Sequence, residues 1–275
     1  MYADDTKVSS TVEIESNIQD LQKDIDRLVD WADKWQLRFN SDKCKVIHLG
    51  RNNPSHEYTM RLHHSHERKV LDTSKLEKDL GVLIDEELNF SKHIEAQVAK
   101  ANRILGLIRR SYRFLDGESL RYMFTSLVRP HLEFANVVWS PRYQKDKNLI
   151  EGVLRRATKL VPGMTALPYE ERLRKLNLPS MQYRRDRGDM IEVYKFTHDL
   201  YDARSPLTPE NDTRTRGHMY KLKKLRVNKG IRQGFFPIRI TDIWNGLPAD
   251  IVNAPLLNSF KNRLDKYWND RLYRA

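Results

Sequence analysis

Between residues 14 and 35, apolar side chains recur at Ile14, Ile18, Leu21, Ile25, Leu28, Ala32 and Trp35, in steps that alternate between four and three. Such steps return to one side of an α-helix, so the pattern predicts an amphipathic helix with a charged opposite face. Ser10 followed by Glu13 has the spacing of a capping box and places the expected helix start there. The stripe lasts about three heptads, which suits a helix packed on a sheet better than a coiled-coil dimer. Ahead of it, residues 1–3 and 6–9 read as two short strands joined by a tight turn at Asp4 and Asp5. Residues 44–50 (CKVIHLG) read as a strand ending at Gly50. Residues 51–78 are polar and without good periodicity, and read as loop. Residues 79–85 (DLGVLID) are a second short apolar strand.

Beyond residue 88 the period becomes helical. Ile94, Val98, Ala101, Leu105 and Ile108 form the apolar side of a helix with Ser91 as its expected N-cap. Its exposed side carries Lys92, Lys100, Arg103, Arg109, Arg110 and Arg113. Asp116 and Gly117 break it. A second helix is expected from about residue 118 to 128, stopping before Pro130. Helical stretches then alternate with prolines (EGVLRRATKL, YEERLRKL, SMQYRRDRGDMIEVYKFTHDLY). Residues 205–230 read as a basic loop, and residues 235–248 (FFPIRITDIWNGLP) and a last helix over 257–272 read as a compact end. No internal repeat stands out. Strands give way to helix near residue 88, the natural first boundary, with a weaker one near 145. The pattern is therefore α+β.

The chain has 275 residues, 39% of them hydrophobic, enough for one large domain or two smaller ones. Its formal net charge of +12 points to polyanions: nucleic acid first, an acidic membrane surface second. The excess lies in the middle and late parts, whereas residues 4–33 are acidic. The single cysteine, Cys44, allows neither an internal disulfide framework nor a cysteine-rich zinc knuckle, and leaves no disulfide-linked partner to expect. No apolar run is long enough to cross a bilayer, and no apolar stretch follows the first acids as in a signal peptide. The protein is expected to be intracellular, in cytoplasm, nucleus or both, with its oligomeric state open.

Adjacent carboxylates on a hairpin turn, as at Asp4 and Asp5, are one way to hold magnesium, which takes one or two carboxylates plus phosphates and water. Phosphoryl transfer uses two such ions about 3.5–4 Å apart. A solvated Asp-Asp turn is the plainer reading of the dipeptide alone. His56, His63, His64 and His66, with Glu67, are zinc-ligand types, but their spacing fits no helical pair or finger. His218 lies in the basic loop, within reach of a phosphate or simply at the surface. The tripeptide at residues 187–189 (RGD) resembles an adhesion motif but falls inside a helical pattern. Phe235, Phe236 and Trp244 can stack on bases or fill a core, and their clustering favours the core.

The sequence YADDTK, at residues 2–7, resembles the catalytic motif of reverse transcriptases in the form found in jockey-type non-LTR retrotransposons. Further segments are similar in the same order. LVDWADKWQLRFNSDKCKVIHLG looks like the segment after that motif, and KDLGVLID like the primer-grip hairpin. SLVRPHLEFANVVWSP, IEGVLRRATKLVPG, RRDRGDMIEVYK and FFPIRITDIWNGLPADIV resemble the thumb and the region beyond it. Together they cover nearly the whole chain.

The resemblance implies roles by position. Asp4 and Asp5 match the catalytic aspartates that bind Mg2+ (or Mn2+), and Tyr2 and Ala3 the residues that place the turn beside the primer end. Lys43, or alternatively Lys45, lies where a lysine can act on the leaving pyrophosphate. Leu80 and Gly81 match the primer grip. The basic helix with Lys92, Lys100, Arg103, Arg109 and Arg110 matches the thumb that cradles an RNA/DNA primer–template duplex through its phosphates. The expected organisation is a partial palm over 1–87, a thumb-like region over 88–145 and a helical C-terminal module over 146–275. A further metal-binding aspartate, the nucleotide-holding fingers and an endonuclease belong upstream of this motif in the family. The expectation is therefore a polymerase fragment that starts at an internal methionine, has lost catalysis on its own, and retains nucleic-acid binding. The alternatives are a non-catalytic binding module and a remnant without selected function.

Overall fold

The computed structural model describes residues 6–50, 52–62, 67–210, 217–227 and 230–274. Helix accounts for 53% of the chain and the strands are few and short, an α+β fold as the sequence pattern predicts. The chain divides into two compact units, Met1–Leu88 and Asn89–Ala275.

In the first unit, α1 (Glu15–Lys34) precedes β1 (Lys45–Ile47), β2 (Thr59–Arg61), β3 (Arg68–Val70), β4 (Asp72–Ser74), β5 (Leu76–Asp79) and β6 (Val82–Asp85). α1 starts later than the Ser10–Glu13 spacing predicts. Ser10 gives its hydroxyl to the Thr11 carbonyl at 3.4 Å, and Asn17 makes the cap instead by accepting the Ile14 N–H at 3.2 Å. Of the stripe, Ile18 and Ala32 are buried, together with Val29 next to it, while its two ends, Ile14 and Trp35, are exposed. Ile18 and Val29 pack with Tyr58, Met60 and Leu71. The Gln22 side chain ties α1 to β2 as a neighbouring strand would: it accepts the Thr59 N–H and donates to the Thr59 carbonyl, both at 2.9 Å.

The ladders differ from the sequence reading. Residues 6–9 are exposed and irregular, since a strand exists only where a second backbone pairs with it. Residues 51–78 are not simply loop, because β2, β3 and β4 lie within them. Each of these strands has three residues, and single apolar anchors at Tyr58, Met60 and Leu71 are too sparse for a period of two to register. β2 and β3 pair antiparallel, as do β5 and β6, while β1 and β4 pair in parallel.

The second unit comprises α2 (Ser91–Ser111), α3 (Gly117–Met123), α4 (Arg129–Glu133), α5 (Asn136–Trp139), α6 (Gln144–Ala157), α7 (Tyr169–Leu176), α8 (Met181–Thr197), α9 (Phe236–Arg239), α10 (Thr241–Asn245), α11 (Ala249–Val252) and α12 (Leu257–Tyr267). Ser91 is the first helical residue of α2 and not its cap. Phe90 holds the cap position in a left-handed conformation, and Asn89 accepts the Ser91 N–H at 3.0 Å. Pro130 does not end its helix. A π turn over Phe124–Val128 widens the spacing, and Pro130 falls in the first turn of α4, where a missing N–H is tolerated. The last helix ends at Tyr267, followed by a 3-10 turn over Asn269–Arg271.

α8 lies inside this unit. One side carries Met190, Val193 and Tyr194 into a core with Trp244, Ile251, Phe260 and Leu264 from the C-terminal helices. Arg184 forks onto Glu133 of α4 at 2.8 Å through both nitrogens, and Arg187 reaches Asp265 of α12 at 2.8 Å. Ile94, Leu120, Leu132, Ile150 and Leu154 are fully buried around α2, α3, α4 and α6.

Candidate nucleic-acid interface

The catalytic pair expected from the sequence, Asp4 and Asp5, lies outside the described residues, as do Tyr2 and Ala3. Lys43 is described: it sits exposed in the turn before β1, its N–H directed to Asn40. Its alternative, Lys45, is held by Asp72 at 2.6 Å, which leaves Lys43 the freer of the two.

Residues 76–85 form a hairpin, so the stretch 79–85 holds its turn and second strand rather than one strand. Asp79 pairs with Val82, so the loop is only Leu80 and Gly81, at φ of 45° and 91°. Two consecutive positive φ values make the turn whose twist suits a two-residue hairpin. Glycine takes this conformation freely, but leucine does so at a cost of about 1 kcal/mol. The Leu80 side chain is also exposed. A strained, exposed leucine at a hairpin tip is a candidate contact surface.

The cations of α2 do not share one face. Lys92, Arg103 and Arg110 are separated by 11 (103 − 92) and 7 (110 − 103) residues, close to whole numbers of turns, and form one line opposite the buried side. Lys100 flanks that line. Arg109 and Arg110 are neighbours in sequence and so cannot point the same way. Arg109 follows Asn102 by two turns and shares its flank instead. All five side chains are exposed, and among the described residues none is paired with a carboxylate.

A second basic element stands beside α2, one not singled out as a site from the sequence. Ser91 donates to Asp146 at 2.7 Å, and Asn102 accepts from Arg156 at 2.9 Å. The partner lies 55 positions on in one case and 54 in the other. A constant offset means that α2 and α6 run in parallel, side by side. Arg156, in the last turn of α6, therefore stands level with Asn102, while Arg109 and Arg110 lie seven (109 − 102) and eight (110 − 102) residues further along α2, about 11 Å on.

The remaining candidates resolve into structure. His56 packs edge-on against Tyr58 at 5.2 Å, while His63, His64 and His66 lie outside the described residues. Among the described residues no group of three or more His, Cys, Asp or Glu could hold a metal. His218 is buried against Trp244 rather than offered to phosphate, its Nε2 3.1 Å from the Trp244 carbonyl oxygen. Arg187 is held by Asp265, and Asp189 by the Arg239 fork at 2.8 and 2.9 Å, so the RGD tripeptide is built into the interior. Phe236 and Trp244 are core, whereas Phe235 is partly exposed. Glu151, also buried, accepts the Tyr169 hydroxyl at 2.5 Å and the Met181 N–H at 3.3 Å. Burial, then Glu151, pushes the Tyr169 phenol far up. No helix among the described residues is long and apolar enough to cross a membrane.

The chain is thus α+β with a helical second unit, in which α2 and α6 run parallel and expose cations. No protein-family model matches it, and no solved structure does. Over 170 residues, 59% of this chain, it is 31% identical to the RNA-directed DNA polymerase from mobile element jockey of Drosophila melanogaster; the match covers 18% of that protein. Over 162 residues, 58% of this chain, it is 23% identical to an uncharacterized protein of Caenorhabditis elegans, of which the match covers 74%. The chain is thus a distant, partial relative of a retrotransposon RNA-directed DNA polymerase, spanning less than a fifth of that protein's length.

Proposed function

We propose that this chain is part of a reverse transcriptase of the non-LTR retrotransposon class, and that its own contribution is to grip the primer–template duplex. The observation that carries the reading is the line of unpaired cations Lys92, Arg103 and Arg110 on α2, flanked by Lys100, in a chain similar to the jockey polymerase. Cations lined along one helix side can meet phosphates of a duplex backbone, and each phosphate neutralised releases counterions. On this reading residues 1–87 are a palm piece with its grip at Leu80 and Gly81, residues 88–145 the thumb, and residues 146–275 a C-terminal module. The protein works inside the cell, in cytoplasm or nucleus.

The donor chemistry of Asp4 and Asp5 fits Mg2+ or Mn2+, which supply charge neutralisation at the transferred phosphoryl group when bound. Lys43 would face the leaving pyrophosphate. The resemblance implies a further metal-binding aspartate, and no downstream acid of this chain stands in a matching context. The chain by itself is therefore expected to bind without polymerising. A second reading is a non-catalytic binding module, for which the exposed cations of α2 would suffice without the aspartate pair.

The test is the affinity of the chain for a primer–template duplex across a salt series. Affinity falling steeply with salt, with Lys100→Glu/Arg103→Glu lowering the log–log slope by about two, supports the grip. A flat salt dependence overturns it. Nucleotide addition with magnesium that is abolished by Asp5→Asn would overturn the claim of lost catalysis.

A further inference from the structure

Residues 117–133 form one continuous helical run: α3, the π turn and α4. Leu120, Phe124, Val128 and Leu132 are buried and follow one another in steps of four. Each step of four overshoots a 3.6-residue turn by about 40°, so in a plain α-helix this line would drift off the buried side. The wider π turn takes up the excess and keeps the line straight. The same correction straightens a second line two residues out of phase, about half a turn away: Tyr122, Ser126, Pro130 and Phe134. Phe134 keeps its place in it by donating its N–H to the Pro130 carbonyl at 3.0 Å. All four are exposed, Tyr122 at 59% and Phe134 at 60%. Leu127, 49% exposed, adjoins the line on one flank.

An amphipathic helix turns polar residues to water opposite its buried side. Here the side facing water carries two large rings, a proline and a leucine. Ser126 adds little polarity, because its hydroxyl donates to the Tyr122 carbonyl at 2.7 Å. The flank opposite Leu127 is cationic. Arg121 lies over the Tyr122 ring at 5.3 Å. Arg129, 3.8 Å from Glu133, shares that carboxylate with the Arg184 fork, so this flank keeps a positive excess. Glu118 bounds the stripe at its N-terminal end, where the helix dipole favours an acid.

We propose that this stripe docks an acidic amphipathic helix of a partner protein, whose apolar side covers Tyr122, Leu127, Pro130 and Phe134 and whose carboxylates face Arg121 and Arg129. From Tyr122 to Phe134 the stripe runs about 18 Å, some three helical turns, a length suited to helix-on-helix contact. Apolar side chains scattered singly over a surface need no partner, but a line of them over three turns marks an interaction site. Charge selects the occupant. A second copy of this chain would bring the same cationic flank and a net charge of +12 against itself. A nucleic-acid strand would meet aliphatic Leu127 and Pro130 where stacking needs a ring. The stripe is separate from the cation line on α2, and neither depends on the other.

The experiment measures binding of the full chain to two labelled synthetic peptides of about 18 residues, long enough to form helix, by fluorescence anisotropy. Both carry leucines at alternating three- and four-residue spacing; one has glutamate and the other lysine at the charged positions. The glutamate peptide is expected to bind about tenfold tighter than the lysine peptide, and Tyr122→Ser/Phe134→Ser to weaken it about tenfold. Phe134→Glu, a single change, is expected to act in the same direction by adding a repelling charge. Both positions are exposed, so the variants should fold, and an unchanged melting temperature checks it. Equal affinity for the two peptides, or glutamate-peptide binding indifferent to both variants, overturns the proposal, as does no binding of either peptide. A dimer in sedimentation velocity that these variants dissolve would make a second copy the occupant. An affinity for oligo(dT) that they abolish would make it a nucleic acid. Either result overturns the acidic helix.

Discussion

The Ser91 hydroxyl donates to the Asp146 carboxylate at 2.7 Å, joining the first turn of α2 to the first turn of α6. Asp146 is wholly buried and sits at the N-terminal ends of two parallel helices, where both dipoles favour a negative charge. Asp146→Ala is expected to lower the stability of this unit by about 2 kcal/mol, and Ser91→Ala by about 1 kcal/mol. Urea unfolding followed by tryptophan fluorescence measures both. If Asp146→Ala proves no more costly than an ordinary surface change, the shared cap plays no part in stability.

Acid should loosen the second unit. Burial, with Lys100 nearby, pushes His93 from 6.5 down to about 4, and burial also lowers His198 and His218. A histidine harder to protonate when folded binds more protons when unfolded. Its contribution is therefore complete above the ordinary histidine range and is lost as pH falls from 6.5 towards 4. The melting temperature of the chain should drop across that window, and His93→Gln should flatten part of the drop. A melting temperature constant across the window would contradict the burial of these rings.

Leu80 offers a trade between stability and grip. Leu80→Asn places an Asn-Gly pair in the two-residue hairpin and should stabilise it by about 1 kcal/mol. If the leucine tip touches nucleic acid, the same variant should bind duplex more weakly. Greater stability with unchanged affinity would remove Leu80 from the interface.

Asp189 accepts from two nitrogens of Arg239 with only 7% of its side chain accessible. Burial pushes this carboxyl up, and the Arg239 fork pulls it back. Asp189→Ala leaves a buried guanidinium short of its partner and should cost about 3 kcal/mol. The double change Asp189→Leu/Arg239→Met should recover much of that loss, which a double-mutant cycle in urea would read.

Long elements were legible because their periods are long. α7 matches its sequence segment residue for residue, and the buried face of α2 is legible from its period. The strands of residues 59–74 were not, since three-residue ladders show no period. Helix starts were displaced wherever a side chain had a rival partner: Ser10 took the Thr11 carbonyl, and Ser91 took Asp146. Pro130 misled because a π turn upstream absorbed the irregularity that a proline normally forces at the helix end.

By itself the sequence determined the helical and strand-bearing parts, the basic character and the resemblance to a retroelement polymerase. These follow from local periodicity, composition and ordered motifs. Only the tertiary structure decided which cations stand together. It laid α6 parallel to α2, with Asp146 beside Ser91 and Arg156 beside Asn102. Helix geometry assigns each residue a side, but which helix lies alongside, and in which direction, is settled by packing between residues more than fifty positions apart.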